Sequence, residues 1–394
     1  VNAKTSRSES KTKRTGRERL IEAATELLTH TPPSSISGRN LSKLASVHPT
    51  FLGQAFGNLP KLLEHVYELA QFNYLGVDTH RGSHSESAPC ILPSLGEHEQ
   101  YWRMHTHLLL DEGYVDLTKD HPVSLLASNI HNKRRRLDPS KAAALACAWW
   151  AIQLGSVVFR KPLSRGFGIT QKDRLTINSH MEDMRSRLLD LPASALAAAK
   201  IPRYTDPLSS FEPKSGRGGA ENALIEAAMG LFCERADTGI SGRELAVAAD
   251  VNYGLIHHYF GTKEAVFDQA YLLLHQQYID DILSFPIQER GSRMMLHGPF
   301  LRGWATRELA GMSMPTIDLT GMRILLDRLV TSRGIEADDS LALVQARADG
   351  YCSVALQLGW VLCHEVTSRA LNLDKDVVFS YLISIQKHIT TSPR

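Results

Sequence analysis

The chain has 394 residues, 43% of them hydrophobic and 22% charged, with a formal net charge of +2. That length suits roughly two to four compact domains, and the near-neutral balance excludes a uniformly basic nucleic-acid binder, so any basic footprint must be local. No apolar run approaches the length of a membrane span, and the polar, cationic first residues lead into no apolar segment fit for a secretory signal, so a cytoplasmic protein with no membrane partner is expected.

The first predicted element is a basic arm over 1–16. Lys4, Arg7, Lys11, Lys13, Arg14, Arg17 and Arg19 against Glu9 and Glu18 give this end a local charge of +5. Such an arm can follow a phosphate backbone or enter a minor groove, the alternative being a solvating tail. Leu20, Ile21, Ala24, Leu27 and Leu28 then fall on one face of a helix. A short helix is expected from Ser37, whose hydroxyl suits an N-cap, to Ala45. Another runs from after His48 to Phe56-Gly57, where the glycine suits a helix end. Helix-rich sequence continues over 76–190. There Lys133-Arg134-Arg135-Arg136 reads as a solvated turn, and Asp138-Pro139-Ser140 opens a long apolar helix with Asp138 as cap and Pro139 in the first turn. Residues 191–218 carry Pro192, Pro202, Pro207, Pro213, Gly216 and Gly218 and read as a linker, able to reach about 90 Å if extended.

Beyond that linker the first part returns. Leu-Ile-Glu-Ala-Ala at 20–24 recurs at 224–228, Ile-Ser-Gly-Arg at 36–39 recurs at 240–243, and Phe56-Gly57 recurs as Phe260-Gly261, all at an offset of 204. Tyr67 and Tyr74 return as Tyr271 and Tyr278, and Gln153-Leu154-Gly155 as Gln357-Leu358-Gly359, at the same offset. The reading is two copies of a roughly 190-residue unit. Leu224, Ile225, Ala228, Leu231 and Phe232 repeat the first apolar stripe. Two further short helices follow, one from Ser241 to Ala249 and one from after Asn252 to Phe260-Gly261. A longer amphipathic helix followed by two short ones is the helix-turn-helix arrangement, whose last short helix enters the major groove.

Residues 221–267, ending in His258-Tyr259-Phe260 and Thr262-Lys263-Glu264, resemble the DNA-binding domain of the TetR family, and 17–67 resemble it more weakly. In the first copy His48-Pro49-Thr50-Phe51-Leu52-Gly53-Gln54 replaces the aromatic-rich recognition segment, and Leu59-Pro60 stands where the second has Lys263-Glu264. The resemblance implies an all-α fold: DNA-binding domains over 17–75 and 219–283, and helical ligand-sensing and dimerisation domains over 76–190 and 284–394. Ala355 to Leu362 is similar to the long penultimate helix which, with the last, forms the four-helix dimer interface of TetR proteins. Fusion of two units in one chain therefore implies an intramolecular pseudo-dimer, with further homodimerisation open.

The resemblance places Ser241 and Arg243 at the start of the supporting helix, Asn252, Tyr253, Gly254, Leu255, His257 and His258 on the recognition helix, and Lys263 just beyond. Ser241 and Lys263 can bind phosphate, Asn252 and Tyr253 can reach base edges, and Gly254 permits close backbone approach. The first copy offers Ser37, Arg39, His48, Thr50, Gln54 and Lys61. No acidic residue lies between Ser37 and Lys61 or between Val251 and Lys263. Phe51 and Gly53 are unusual surface choices. In the sensor parts Tyr101, Trp102, Tyr278, Met295 and Trp304 are able to line an apolar pocket, and equally to be plain core.

Other chemistry finds little footing. His105-x-His107 and His257-His258 lack the i, i+4 spacing of a helical metal pair, so no metal is expected. Cys90, Cys147, Cys233, Cys352 and Cys363 form no C-x-x-C pair and read as reduced, packed residues. No phosphate loop, dinucleotide fingerprint or nucleophile elbow is found, so neither catalysis nor a cofactor is expected. The expected function is a transcriptional repressor that binds double-stranded DNA and is released by an apolar small-molecule effector. The alternative is a ligand-binding or protein-interaction scaffold with degenerate readers.

Overall fold

The computed structural model describes residues 14–75, 98–201, 219–235, 239–286, 289–312, 318–336 and 338–391, and among these residues helix is the regular structure and no strand occurs. The fold is all-α. The first half holds α1 (Gly16–His30), α2 (Gly38–Leu44), α3 (Pro49–Phe56), α4 (Leu59–Leu75), α5 (Glu99–Leu110), α6 (Pro122–Lys133), α7 (Pro139–Val158), α8 (Arg160–Gly166) and α9 (Arg174–Leu189). The second holds α10 (Gly219–Arg235), α11 (Gly242–Ala248), α12 (Gly254–Tyr259), α13 (Lys263–Ser284), α14 (Arg290–Met294), α15 (Gly298–Leu309), α16 (Thr320–Ser332), α17 (Ser340–Leu371) and α18 (Lys375–Thr391).

Helix ends follow local chemistry, and the same devices recur at one spacing. Thr15 and Glu18 close a capping box on α1, Glu18 N–H donating to Thr15 Oγ1 at 3.2 Å and Thr15 N–H to Glu18 Oε2 at 2.7 Å. Ser37 and Ser241 cap α2 and α11, accepting from the N–H of Asn40 and Glu244 at 3.1 Å each. The turns that follow hold Ser46 and Asp250 at φ 51° and 52°, and Gly57 and Gly261 close α3 and α12 at φ 84° and 77°. Asn58 and Thr262 accept from the N–H of Lys61 and Ala265 at the start of α4 and α13. Each of these pairs is 204 residues apart. Asp138 caps α7 by accepting from Ser140 N–H at 2.9 Å, with Pro139 in the first turn.

The centre of the molecule is a crossing of α7 and α17. A Cβ added to Gly155 would lie 2.1 Å from the Ala355 carbonyl oxygen, and one added to Gly359 would lie 1.8 Å from the Ala151 carbonyl oxygen. The backbones thus touch where side chains are absent. Ala151 and Ala355, like Gly155 and Gly359, are 204 apart, so the contact is reciprocal in the manner of a two-fold interface. Around this crossing α9 packs on α17 and α18 packs on α7. A second contact joins α5 and α15, each helix receiving an arginine from the other. Arg103 donates to the Leu309 carbonyl at the end of α15, while Arg302 donates to the Leu109 carbonyl at the end of α5, at 3.2 Å.

Three expectations are corrected. An apolar run of spanning length does exist. Helix α7 has 20 residues with a mean hydropathy of 1.3 over its most apolar window, 94% of which is buried in the protein; its apolarity serves the crossing. Three of the seven cations counted at the basic end are held by the folded domain. Arg14 pairs with Glu22 at 2.6 Å, Arg17 lies over the Phe56 ring at 4.6 Å, and Arg19 donates to the Ser46 carbonyl at 3.0 Å, while Lys4, Arg7, Lys11 and Lys13 lie outside the described residues. Finally, residues 191–201 of the expected linker are packed rather than extended. Ala199 N–H donates to the Ser380 carbonyl at 3.0 Å, Ser384 Oγ to the Ala197 carbonyl at 2.5 Å, and Leu191 and Leu196 are buried. The 202–218 part lies outside the described residues.

Candidate nucleic-acid interface and cavity

In the second half, α11 and α12 form the helix-turn-helix, with Ile256 and Leu245 fully buried beneath it. Ser241, Arg243, Asn252, Tyr253, Gly254, His257 and His258 are exposed, whereas Leu255 is half-buried and joins the core. Asn252 Oδ1 accepts from Gly254 N–H at 2.9 Å and so starts α12. The Tyr253 ring lies across the start of α11, where a Cβ on Gly242 would come within 2.7 Å of it. His257 Nδ1 lies 2.8 Å from the Gly261 carbonyl and Nε2 lies 3.2 Å from the Tyr253 hydroxyl. A carbonyl only accepts, so Nδ1 carries a proton and donates to it, while Nε2 pairs with the Tyr253 hydroxyl. Both ring nitrogens are therefore committed within the domain, and His257 positions Tyr253. The Lys263 ammonium donates to the Ile240 carbonyl and lies 3.6 Å from Glu264 Oε1, pinning the start of α13 to the segment before α11.

The first half presents Ser37, Arg39, His48, Thr50, Gln54 and Lys61, all exposed on α2, α3 and the start of α4. His48 Nδ1 lies 2.8 Å from Thr50 Oγ1 and caps α3. Phe51 is half-buried and its ring covers Gly16, where an added Cβ would fall 2.8 Å away. That contact explains an aromatic on this helix. Arg134, in the run expected to be a solvated turn, donates to the Leu189 carbonyl at 2.7 Å and to Leu191, so this one cation of the run closes α9.

The second half also encloses a cavity of about 610 Å³ among α13 to α18. Tyr278 and Trp304, both named from sequence, line it; Met294 does so in place of Met295. Tyr101 and Trp102 lie instead in a closed cluster of the first half. There Tyr74 stacks on Tyr101 at 4.4 Å between centroids, and Trp150 meets Trp102 at 4.6 Å, His121 at 4.8 Å and His105 at 5.3 Å. Burial holds His105 down to about 3, so this cluster is uncharged. Trp149 and Trp150 stand, 204 residues earlier, at the places of the cavity-lining Ser353 and Val354. Two indoles in one half thus stand where the other has a serine and a valine.

Residues 224–270, spanning most of α10 to the first turns of α13, match the sequence model of bacterial regulatory proteins of the tetR family. The chain is also similar to the HTH-type transcriptional repressor Rv3405c of Mycobacterium tuberculosis and to the HTH-type transcriptional regulator Mb3439c of Mycobacterium bovis. Each is 28% identical over 169 residues, which is 41% of this chain and 82% of the relative. The second half therefore carries a helix-turn-helix segment of the tetR regulatory type. The matched stretch contains every residue singled out on α11 and α12.

The contacts of two arginines escaped the sequence reading. Arg19 ties α1 to the turn after α2 through the Ser46 carbonyl, and Arg103 donates to the Thr29 carbonyl at 3.1 Å as well as to Leu309. Their partners are backbone carbonyls, which leave no side-chain signature to match.

Proposed function

We propose that this chain is a repressor built of two fused TetR-like units, with readers at 17–75 and 219–283 and sensor domains at 76–190 and 284–394. The observation that carries the reading is the reciprocal crossing of Gly155 on Ala355 and Gly359 on Ala151, which pairs equivalent residues as identical subunits do. The chain therefore acts as an intramolecular pseudo-dimer on double-stranded DNA in the cytoplasm. Its relatives' alignment, less than half of this chain against most of theirs, leaves room for the second unit, and the name of one relative supports repression.

The acid-free surfaces of α3 and α12 enter successive major grooves. Ser37, Arg39, Lys61, Ser241, Arg243 and Lys263 meet phosphate; His48, Thr50, Gln54, Asn252, Tyr253, Gly254 and His258 face bases, and Leu255 and His257 support them. Because the two recognition segments differ, the operator is asymmetric. An effector in the cavity touches Trp304 on α15. That helix lies on α10 through Gly303 and Phe232, and its last carbonyl receives Arg103, which also holds the end of α1. A shift of α15 is thus felt by both readers. Release requires the effector to bind more tightly to the arrangement that misplaces them.

Duplex binding across a salt series tests the reading. Affinity should fall steeply with salt, with one asymmetric sequence retained at salt levels that release others. Binding that is weak, salt-insensitive and indifferent to sequence would establish the scaffold reading instead.

A further inference from the structure

The charge around the cavity is one-sided. Its wall includes Arg290, Arg328, Arg333 and Lys387 against a single carboxylate, Asp318. Arg333 is neutralised by Asp349 at 2.7 Å, and Asp318 accepts from Thr320 N–H at 2.8 Å. Lys387 is exposed. Arg290 and Arg328 remain, both lining the cavity and close enough for the charge of one to act on the other. Arg290 donates to the Phe285 carbonyl at 3.1 Å, and among the described residues no carboxylate forms an ion pair with either guanidinium. Burial, and then the neighbouring Arg328 charge, hold Arg290 below the ordinary arginine value. Stretches 287–288 and 313–317, which flank the cavity in sequence, contain no acid. Two like charges close together at one cavity repel each other, and an anion between them relieves that repulsion. The lining also carries an apolar surface formed by Tyr278, Ile279, Trp304 and Leu329.

We propose that the ligand of this cavity is an amphipathic carboxylate, its anionic head bridging Arg290 and Arg328 and its hydrocarbon body lying against Tyr278, Ile279, Trp304 and Leu329. The planar forks of two arginines match a carboxylate bidentately, and the volume suits a body of about ten carbons or more. This assignment rests on the reading that the cavity receives the effector, and it replaces a purely apolar ligand with a charged one. It also makes the second half the sensing half, since Trp150 occupies the matching space in the first.

The test is calorimetric titration of the full chain with three probes of one chain length: decanoate, decanol and decylamine. Decanoate should bind about tenfold or more tighter than decanol, the scale of one charge-assisted contact, with decylamine weakest. Arg328→Gln, at an exposed position, and Arg290→Gln should each erase that preference while leaving decanol affinity and the unfolding midpoint in place. Raising salt should shrink the preference in the unaltered chain, a readout that needs no variant. Equal or tighter binding of decanol, or a preference that survives both substitutions, would overturn the assignment. Duplex affinity is measured separately. Decanoate that binds with the expected preference but leaves DNA affinity unchanged supports the ligand class and refutes the effector role.

Discussion

Substituting Gly359 by Ala at the α7–α17 crossing places a methyl group 1.8 Å from the Ala151 carbonyl oxygen and 2.9 Å from the Gly155 nitrogen, where ordinary contact begins near 3.4 Å. Neither neighbour is a side chain that can turn away. The helices must part by roughly 1.5 Å, and a gap of that size forfeits much of the dispersion between the facing surfaces. Overpacking of this kind costs about 1–3 kcal/mol, and against backbone the upper part of that range applies. Replacing a helical glycine by alanine returns about 1 kcal/mol, so a net loss of about 2 kcal/mol is expected. Gly230 supplies the control. It lies in α10 with open space around its position, and Gly230→Ala should therefore stabilise by about 0.5–1 kcal/mol. Gly155→Ala opens the same crossing, so the double variant should lose less than the sum of the two. Urea unfolding followed by circular dichroism gives the midpoints. Gly359→Ala as stable as the parent, with Gly230→Ala behaving as expected, would refute close backbone packing at this crossing.

Arg39→Ala and Arg243→Ala each remove one exposed cation from a reader, so each should lower the slope of log affinity against log salt by about one without moving the unfolding midpoint; an unchanged slope would remove that residue from the interface. Arg103→Met keeps the aliphatic stem but loses donors to the Thr29 and Leu309 carbonyls. It should cost about 2–3 kcal/mol in urea unfolding and weaken the response of DNA binding to ligand, and a fully coupled variant would contradict the proposed route. Acid should destabilise the protein early. Burial holds His105 to about 3 and His107 and His275 to about 4, with His121 also well below the 6.5 of free imidazole. The unfolded chain then binds more protons between those values, so the stability is complete above about pH 6.5 and is lost as pH falls toward 4. Urea midpoints between pH 7.5 and 5 should decline, and His275→Gln should flatten part of the decline; a flat profile in the parent would contradict the burial of these rings.

Most helix ends were legible because capping is a local device. Ser37, Ser241 and Asp138 cap where their hydroxyl or carboxylate precedes an apolar period, and Gly57 and Gly261 end helices at positive φ. The recurrence at 204 likewise needed only the residues themselves. The cavity did not follow in the same way. Trp149-Trp150 against Ser353-Val354 was visible as a difference, but whether an indole fills a space or lines one depends on how far neighbouring helices stand apart, which no single segment encodes. The internal partners of His257 and Lys263 were hidden for a related reason. The acceptors each finds within its own domain, the Gly261 and Ile240 carbonyls, are brought close only by folding. The packed 191–201 segment misled through composition, since proline and alanine suit a strap held along α18 as well as a free tether.

Because Gly155 and Gly359 belong to one polypeptide, the partners at this crossing cannot drift apart on dilution. A regulator assembled from separate subunits loses its paired form as its copy number falls, and its occupancy of DNA then drops more steeply than its abundance. On the proposed pseudo-dimer reading, pairing is independent of abundance, so occupancy of a site should rise with the first power of chain number even at a few molecules per cell. Subunit exchange through this surface is then closed to it, and a damaged copy or a close paralogue cannot form hybrids there.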